Sequence, residues 1–386
     1  MRYYSYLNTA VKILNEYSGA QPFSIFIKSF FAADKKYGSK DRKQISHLCY
    51  CYFRLGHACR SLPVEERVIA GLFMCSSESH SLLEQIKPEW NESIALPVSQ
   101  KLATINASEQ DIFPWIDALS EGINAQVFIQ SFFVQPDLFL RLRPGKKQIV
   151  EEKLKNAAIP YSFIEDNTIA LPNASKLETI IALNKEAVVQ DYSSQQVAAF
   201  FSFIKKNIES SIRIWDCCAA SGGKSIVAKD IFNTIDLTVS DIRPSILHNL
   251  KKRFDEAGIT SYKSFTADLS VSKEYVASSS FDLVICDAPC SGSGTWARTP
   301  EELYFFEAKQ INTFRTLQKK IVANVVSAVK PGGFFLYITC SVFQHENEEV
   351  AGYCTSFGLQ LVKKELIIGY DKKADTMFAA LFKKPL

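Results

Sequence analysis

From about residue 208 the apolar positions fall into short runs separated by stretches of helical period. IRIWD, LTVSD, YKSFTAD and FDLVICD predict four strands, with helices over SIVAKDIF and over SILHNLKKRFDEAG, the latter closed by Gly258. FDLVICD is almost uninterrupted in its apolar character, which predicts a central strand buried on both faces. A long helix is expected over about 307–329. PGG then turns into the buried strand FFLYIT, NEEVAGYCTS is helical, and LQLVKKELI and MFAALFKK are late strands. Strands alternating with helices predict an α/β fold with a doubly wound, mostly parallel sheet.

The first 120 or so residues carry a different pattern. SYLNTAVKILNEY and KQISHLCYCYFRLGHAC repeat apolar residues at helical spacing, and breaks near Pro63, Pro88 and Pro97 divide the region into several helices. Between them and the α/β half, QPDLFLRLRP alternates, KQIVEEKLKNAAI is helical and YSFIEDNTIALP reads as a hairpin. AVVQDYSSQQVAAFF runs from a strand or loop into a helix, with Ser193 or Ser194 as the expected N-cap. The expected division is a helical domain over 1–122, a small mixed α/β module over 125–185 and a catalytic domain over 186–386.

Composition adds limits. With 386 residues, 47% of them hydrophobic, the chain can bury large cores without a metal or disulfide staple. Ten cysteines include no C-x-x-C pair, and with five histidines neither Cys49/Cys51 nor Cys217/Cys218 has zinc-site spacing, so no metal is expected. MRYYSYLNTAVKILNEYSG lacks the apolar core of a signal peptide, and no run of about 18 uncharged apolar residues occurs. A cytoplasmic protein with free thiols, off the membrane, and a monomer is expected. A net charge of +3 neither demands nor excludes nucleic acid, so local clusters matter: Lys35, Lys36, Lys40, Arg42 and Lys43, and Arg141, Arg143, Lys146 and Lys147. Such clusters are more often solvated faces, but here both lie in the non-catalytic modules and suit phosphate contacts.

The first strand of the α/β half ends at Asp216 and a loop, CAASGGK, that matches neither G-x-G-x-x-G nor G-x-x-x-x-G-K-[ST]. A lone Gly-Gly would be a plain turn. Three carboxylates change the picture: Asp241, Asp268 and Asp287 all stand at strand carboxyl ends, and Asp241 follows the loop by about 20 residues, the spacing of a ribose-binding acid. Each alone is an ordinary turn former. Together they favour a nucleoside without phosphate, and S-adenosylmethionine fits. Two thiols share that rim, Cys290 in DAPCSGSG and Cys340 in YITCS. C5 of cytosine is too electron-poor to attack a methyl sulfonium. A thiolate added at C6 makes C5 nucleophilic, and a base must then take the C5 proton so that the thiol can leave. Lys224 is a candidate to tune the thiolate, and Asp287, protonated or bridged, to bond the cytosine N3/N4 edge.

CAASGGK, DAPCSGSG and TCS followed by ENEEV resemble the RsmB/Sun/Nop family of RNA cytosine-C5 methyltransferases, over about 186–386. VVQDYSSQQ is similar to the family's opening segment, QPDLFLRLRP to the start of its small RNA-binding module and MFAALFKK to its last strand. DRKQISHLCYCYFRLG resembles a helix of the NusB-like domain of ribosomal members. The resemblance implies a Rossmann-like methyltransferase domain with Cys340 as nucleophile and Cys290 aiding product release. It implies S-adenosylmethionine on Cys218, Ala219, Ala220, Ser221, Gly222, Gly223 and Lys224 with Asp241, Asp268 and Asp287, and RNA as partner, ribosomal ahead of transfer RNA. Ser221 stands where the family usually has Pro, which puts loop rigidity in question. The competing readings are a DNA-type enzyme in which Cys290 attacks, which TCS argues against, and a non-catalytic RNA-binding assembly factor, which has no need of Cys340, Cys290 and Asp287.

Overall fold

The computed structural model describes residues 2–34, 36–208, 211–272 and 275–386; Lys35 of the first basic cluster lies outside them. The chain forms two compact units. The helical unit comprises Met1–Leu119, Ile123–Gln135 and Thr295–Ala308. Its main helices are Arg2–Glu16, Phe23–Ala33, Ser39–Arg54 and Val64–Cys75. Pro63 and Pro97 directly precede helices and Pro88 opens one, the positions where a missing N–H costs nothing. The unit also takes in a segment from far down the chain. Trp296 is fully buried, 6.0 Å from Phe113 and 5.9 Å from Trp115 by ring centroids. The guanidinium groups of Arg60 and Arg67 both stack on the Tyr304 ring, at 4.6 and 4.7 Å from its centre. The helix Ala125–Ser131 belongs here too, not to the small α/β module.

The second unit comprises Ser120–Gly122, Pro136–Gly294 and Lys309–Leu386 and holds two sheets. The smaller is antiparallel, in the order β2-β3-β1-β4, from β1 (Leu138–Leu142), β2 (Ser162–Glu165), β3 (Thr168–Leu171) and β4 (Ala187–Val189). It thus closes past the expected limit at 185, because Val188 pairs with Arg141. The helix Lys147–Asn156 covers one face through Val150 and Leu154, which pack with Leu140, Leu142 and Ile169. At the start of the helix Tyr192–Gln196 the cap is Asp191, whose carboxylate accepts from the Ser193 N–H, rather than Ser193 or Ser194.

The larger sheet contains β5 (Ile212–Asp216), β6 (Ile235–Asp241), β7 (Lys263–Thr266), β8 (Phe281–Asp287), β9 (Val329–Thr339), β10 (Gln360–Ile367) and β11 (Met377–Lys383), in the order β10-β11-β9-β8-β5-β6-β7. The five strands β5 to β9 run parallel; β11 is antiparallel to both its neighbours, β9 and β10, so β10 runs in the same direction as the parallel set. PGG lies inside β9 rather than before it. Along β8, Leu283 and Ile285 face one core while Val284 and Cys286 face the other, which accounts for its continuous apolar run. Strand order reverses beside β5, the place where open α/β sheets bind ligands.

Arg141 and Arg143, expected to meet phosphate, instead join the two sheets. They project from one face of β1 and its end, and grip the two oxygens of Asp230 at 2.7 and 2.9 Å with all three side chains nearly buried. Arg141 also donates to Gln190. This part of the second basic cluster is internal.

Candidate active site

At the carboxyl ends of β5, β6 and β8 a cleft of about 540 Å³ opens, within the range of small-molecule sites. Cys218, Ala220, Asp241, Asp268, Asp287, Cys290 and Cys340 all line it, with apolar walls from Ile242, Leu269, Pro289, Leu317 and Ile321. Seven residues singled out in the sequence therefore meet around one cavity. Ala219, Ser221, Gly222, Gly223 and Lys224 are not on its wall; they shape the loop behind it. Ala219 donates its N–H to the Ser240 carbonyl. Gly222 has φ +80, and a Cβ there would stand 2.4 Å from Phe254, so only glycine fits both the conformation and the space. The Ser221 hydroxyl accepts from Arg253 Nη1 at 2.6 Å, as does its carbonyl at 3.0 Å. The anchoring that a proline ring would supply through φ comes here from a side chain on the helix Pro244–Ala257, which follows β6.

Each acid is held differently. Asp241 accepts from the Ala220 N–H and the Arg243 N–H, both at 3.0 Å, and its carboxylate also meets the Arg243 guanidinium. Asp268 accepts from the N–H and hydroxyl of Ser270, the local turn expected of a strand-terminal Asp. Asp287 is bridged to Lys224, 3.1 Å away, and the same ammonium donates to Ser194 at 2.8 Å. Lys224 is thus committed to Asp287 and Ser194. Asp216, at the end of β5, is fully buried; one oxygen accepts from Ser225, and burial pushes its pKa up to about 7.

The two thiols meet. Cys290 Sγ and Cys340 Sγ are 3.3 Å apart. The contact with Cys340, together with burial, pushes the Cys290 thiol well above its usual range. Their loops are tied by Glu346, which sequence reading did not single out beyond its place in ENEEV. This fully buried carboxylate accepts from the Ser291 N–H and Gln318 Nε2 through one oxygen and from the Ser341 hydroxyl through the other. It therefore braces the residue after Cys290 and the residue after Cys340. Gly294 adds a main-chain link: its N–H donates to the Cys340 carbonyl and its carbonyl accepts from the Thr376 N–H. A Cβ at Gly294 would fall 1.9 Å from the Thr376 oxygen.

The helical unit carries a cavity of about 340 Å³ with Lys28, Arg42 and Lys43 on its wall beside Phe31 and Tyr50. Arg42 and Lys43 belong to the first basic cluster; Lys28, one turn along a neighbouring helix, does not stand out in the sequence. Lys36 of that cluster pairs with Asp34.

A single reversed strand, β11, set between β9 and β10 of an otherwise parallel sheet, with a rim cleft lined by acids and a glycine loop behind it, matches the Rossmann-like fold of S-adenosylmethionine-dependent methyltransferases. A solved methyltransferase homologue from Pyrococcus horikoshii has the same fold, with a TM-score of 0.59, 19% identity, and coverage of 74% of this chain and 98% of that one. Residues 204–361 match the family model described as 16S rRNA methyltransferase RsmB/F. Relatives include the probable ribosomal RNA small subunit methyltransferase B of Bacillus subtilis, 26% identical over 67% of this chain and 58% of that one. The ribosomal RNA small subunit methyltransferase B of Xylella fastidiosa is 31% identical over 55% of this chain and 49% of that one. The chain thus matches about half the length of these curated relatives.

Proposed function

We propose that this protein methylates C5 of a cytosine in RNA, with Cys340 as the attacking thiolate and Cys290 assisting release. The observation that carries the reading is the pair of sulfur atoms 3.3 Å apart on the wall of the cleft that also holds Asp241. The cleft suits S-adenosylmethionine: its walls are largely apolar, and Asp241 offers a carboxylate for ribose hydroxyls once the Arg243 side chain, 58% exposed, turns to solvent. When bound, the cofactor supplies an electrophilic methyl group. Cys340 forms a bond to C6 of the base, which leaves C5 electron-rich and able to take the methyl. Loss of the C5 proton then restores the ring as the C6–S bond breaks. Asp287, bridged to Lys224, is the acid placed to meet the N3/N4 edge of the base.

Cys290 suits the second half of this sequence. While Cys340 is free, contact with it helps hold the Cys290 proton on. Once Cys340 is a thioether that charge interaction is gone, and Cys290 becomes easier to deprotonate just when a base is needed. The relatives' names favour ribosomal over transfer RNA as substrate, with the helical unit supplying RNA contacts.

The thiols test the reading. Cys290→Ala should accumulate an RNA–protein adduct that survives denaturing electrophoresis, while Cys340→Ala and the double variant should form none and transfer no methyl group. An adduct from Cys340→Ala alone would reverse the roles, giving the DNA-type arrangement. Full activity without adduct in both single variants would exclude covalent catalysis through these thiols.

A further inference from the structure

Behind the cleft lies a second sulfur cluster. The Sγ atoms of Cys217, Cys218 and Cys286 are all within 4.8 Å of one another. The strand register explains how sequence neighbours and a distant residue meet. Asp216 pairs with Ile285 across β5 and β8, so the next residues along these parallel strands, Cys217 and Cys286, stand side by side. Both pack on the sheet face of Trp215 and Val284. The strand has ended by Cys218, so its side chain is not sent to the opposite face as strand alternation would require. Cys217 and Cys286 are buried and Cys218 is half-buried. Cys217 and Cys218 line the cleft, which gives a path in.

Three thiols this close can close on one atom. A centre with bonds of about 2.3 Å to sulfur holds its thiolates about 4 Å apart at most, so each sulfur needs to move inward by about half an ångström. Charge decides which centre. The groups acting on the cluster are carboxylates, Asp241 toward Cys218 and Asp287 toward Cys286. The cations nearby are already engaged, Arg243 with Asp241 and Lys224 with Asp287. A divalent ion on three thiolates therefore leaves a net negative charge buried without a counter-ion, which is costly. A trivalent centre leaves none.

We infer that Cys217, Cys218 and Cys286 form a binding site for a trivalent thiophilic metalloid, of which arsenite is the simplest probe. The step balances without redox chemistry. In As(OH)₃ three As–O bonds break and three As–S bonds form. Each leaving hydroxide takes the proton of one thiol and departs as water.

The test uses the full chain, reduced, with Cys290→Ser, Cys340→Ser and Cys75→Ser to break up two other close thiol pairs, Cys290 with Cys340 and Cys51 with Cys75, and arsenite as ligand. Native mass spectrometry counts the waters lost on binding: three for a trithiolate, two for a dithiol site. One arsenic per chain with three waters lost is expected. Adding Cys286→Ala should reduce this to two waters and weaken binding at least about tenfold. Cys218→Ala, at the half-buried position, should do the same and decides the matter if the Cys286 variant does not fold. Two-water adducts alone in the parent protein, unchanged affinity in both variants, or tighter binding of Cd²⁺ than of arsenite would each overturn the assignment.

Discussion

Asp216 shows how much a single buried carboxyl can weigh. One of its oxygens accepts from Ser225, and the other has no hydrogen-bond partner in a fully buried site. Burial raises its pKa from 3.8 to about 7. The folded state therefore holds this proton more tightly than the unfolded chain. Its contribution to stability is complete below about pH 4 and is lost as pH rises to about 7, a change on the order of 4 kcal/mol. Urea unfolding between pH 4 and 8 should show that decline, and Asp216→Asn, which stays neutral, should flatten it. An unchanged slope in the variant would place the pH dependence elsewhere. At this scale the sequence exposed the rim residues, because Asp241, Asp287, Cys290 and Cys340 sit at recognisable strand ends. Glu346 was hidden: its task appears only when Ser291 and Ser341, fifty residues apart, come together. The trio of Cys217, Cys218 and Cys286 was hidden for the same reason, since only the β5–β8 register joins them.

Among the elements, the parallel strands were legible because burial on both faces leaves unbroken apolar runs, and the helices because their stripes recur at 3.6 residues. The basic run on β1 was misread. Alternation along a strand sends Arg141 inward, but nothing local shows that Asp230, on a helix of the larger sheet, waits there. That junction gives a prediction. Asp230→Ala leaves two nearly buried guanidinium groups unpaired and should cost about 3–5 kcal/mol of stability, measured by chemical denaturation. A loss below about 1 kcal/mol, the scale of a surface pair, would mean the junction is not held by these charges. In the glycine loop after β5, serine at 221 by itself suggests slackness, and its two hydrogen bonds from Arg253 supply an anchor.

For the molecule as a whole, the sequence reading separated a helical part from an α/β part but cut the chain at linear boundaries. The helical unit in fact draws on Thr295–Ala308, a stretch whose aromatic residues carry no local mark of where they pack. On the function proposed above, its lysine and arginine groove is the surface assigned to RNA backbone contacts. Replacing Lys28, Arg42 and Lys43 together with alanine should weaken binding of a 16S ribosomal RNA transcript and reduce the slope of log affinity against log salt by roughly two, at about 0.7 per phosphate contact on single strands. Equal slopes for variant and parent would move the RNA surface elsewhere.

The borrowed segment also has a consequence in time. Between Gln135 and Thr295 the ribosome adds some 160 residues, which at about 5–20 residues per second takes roughly 8–32 s. Throughout that interval the nascent helices lack Trp296 and Tyr304, so the aromatic surface around Phe113, Trp115 and Tyr52 waits without its lid. The helical unit is thus begun before the second unit and completed only during its synthesis, and until then it carries exposed aromatic surface of the kind that makes nascent chains prone to aggregate.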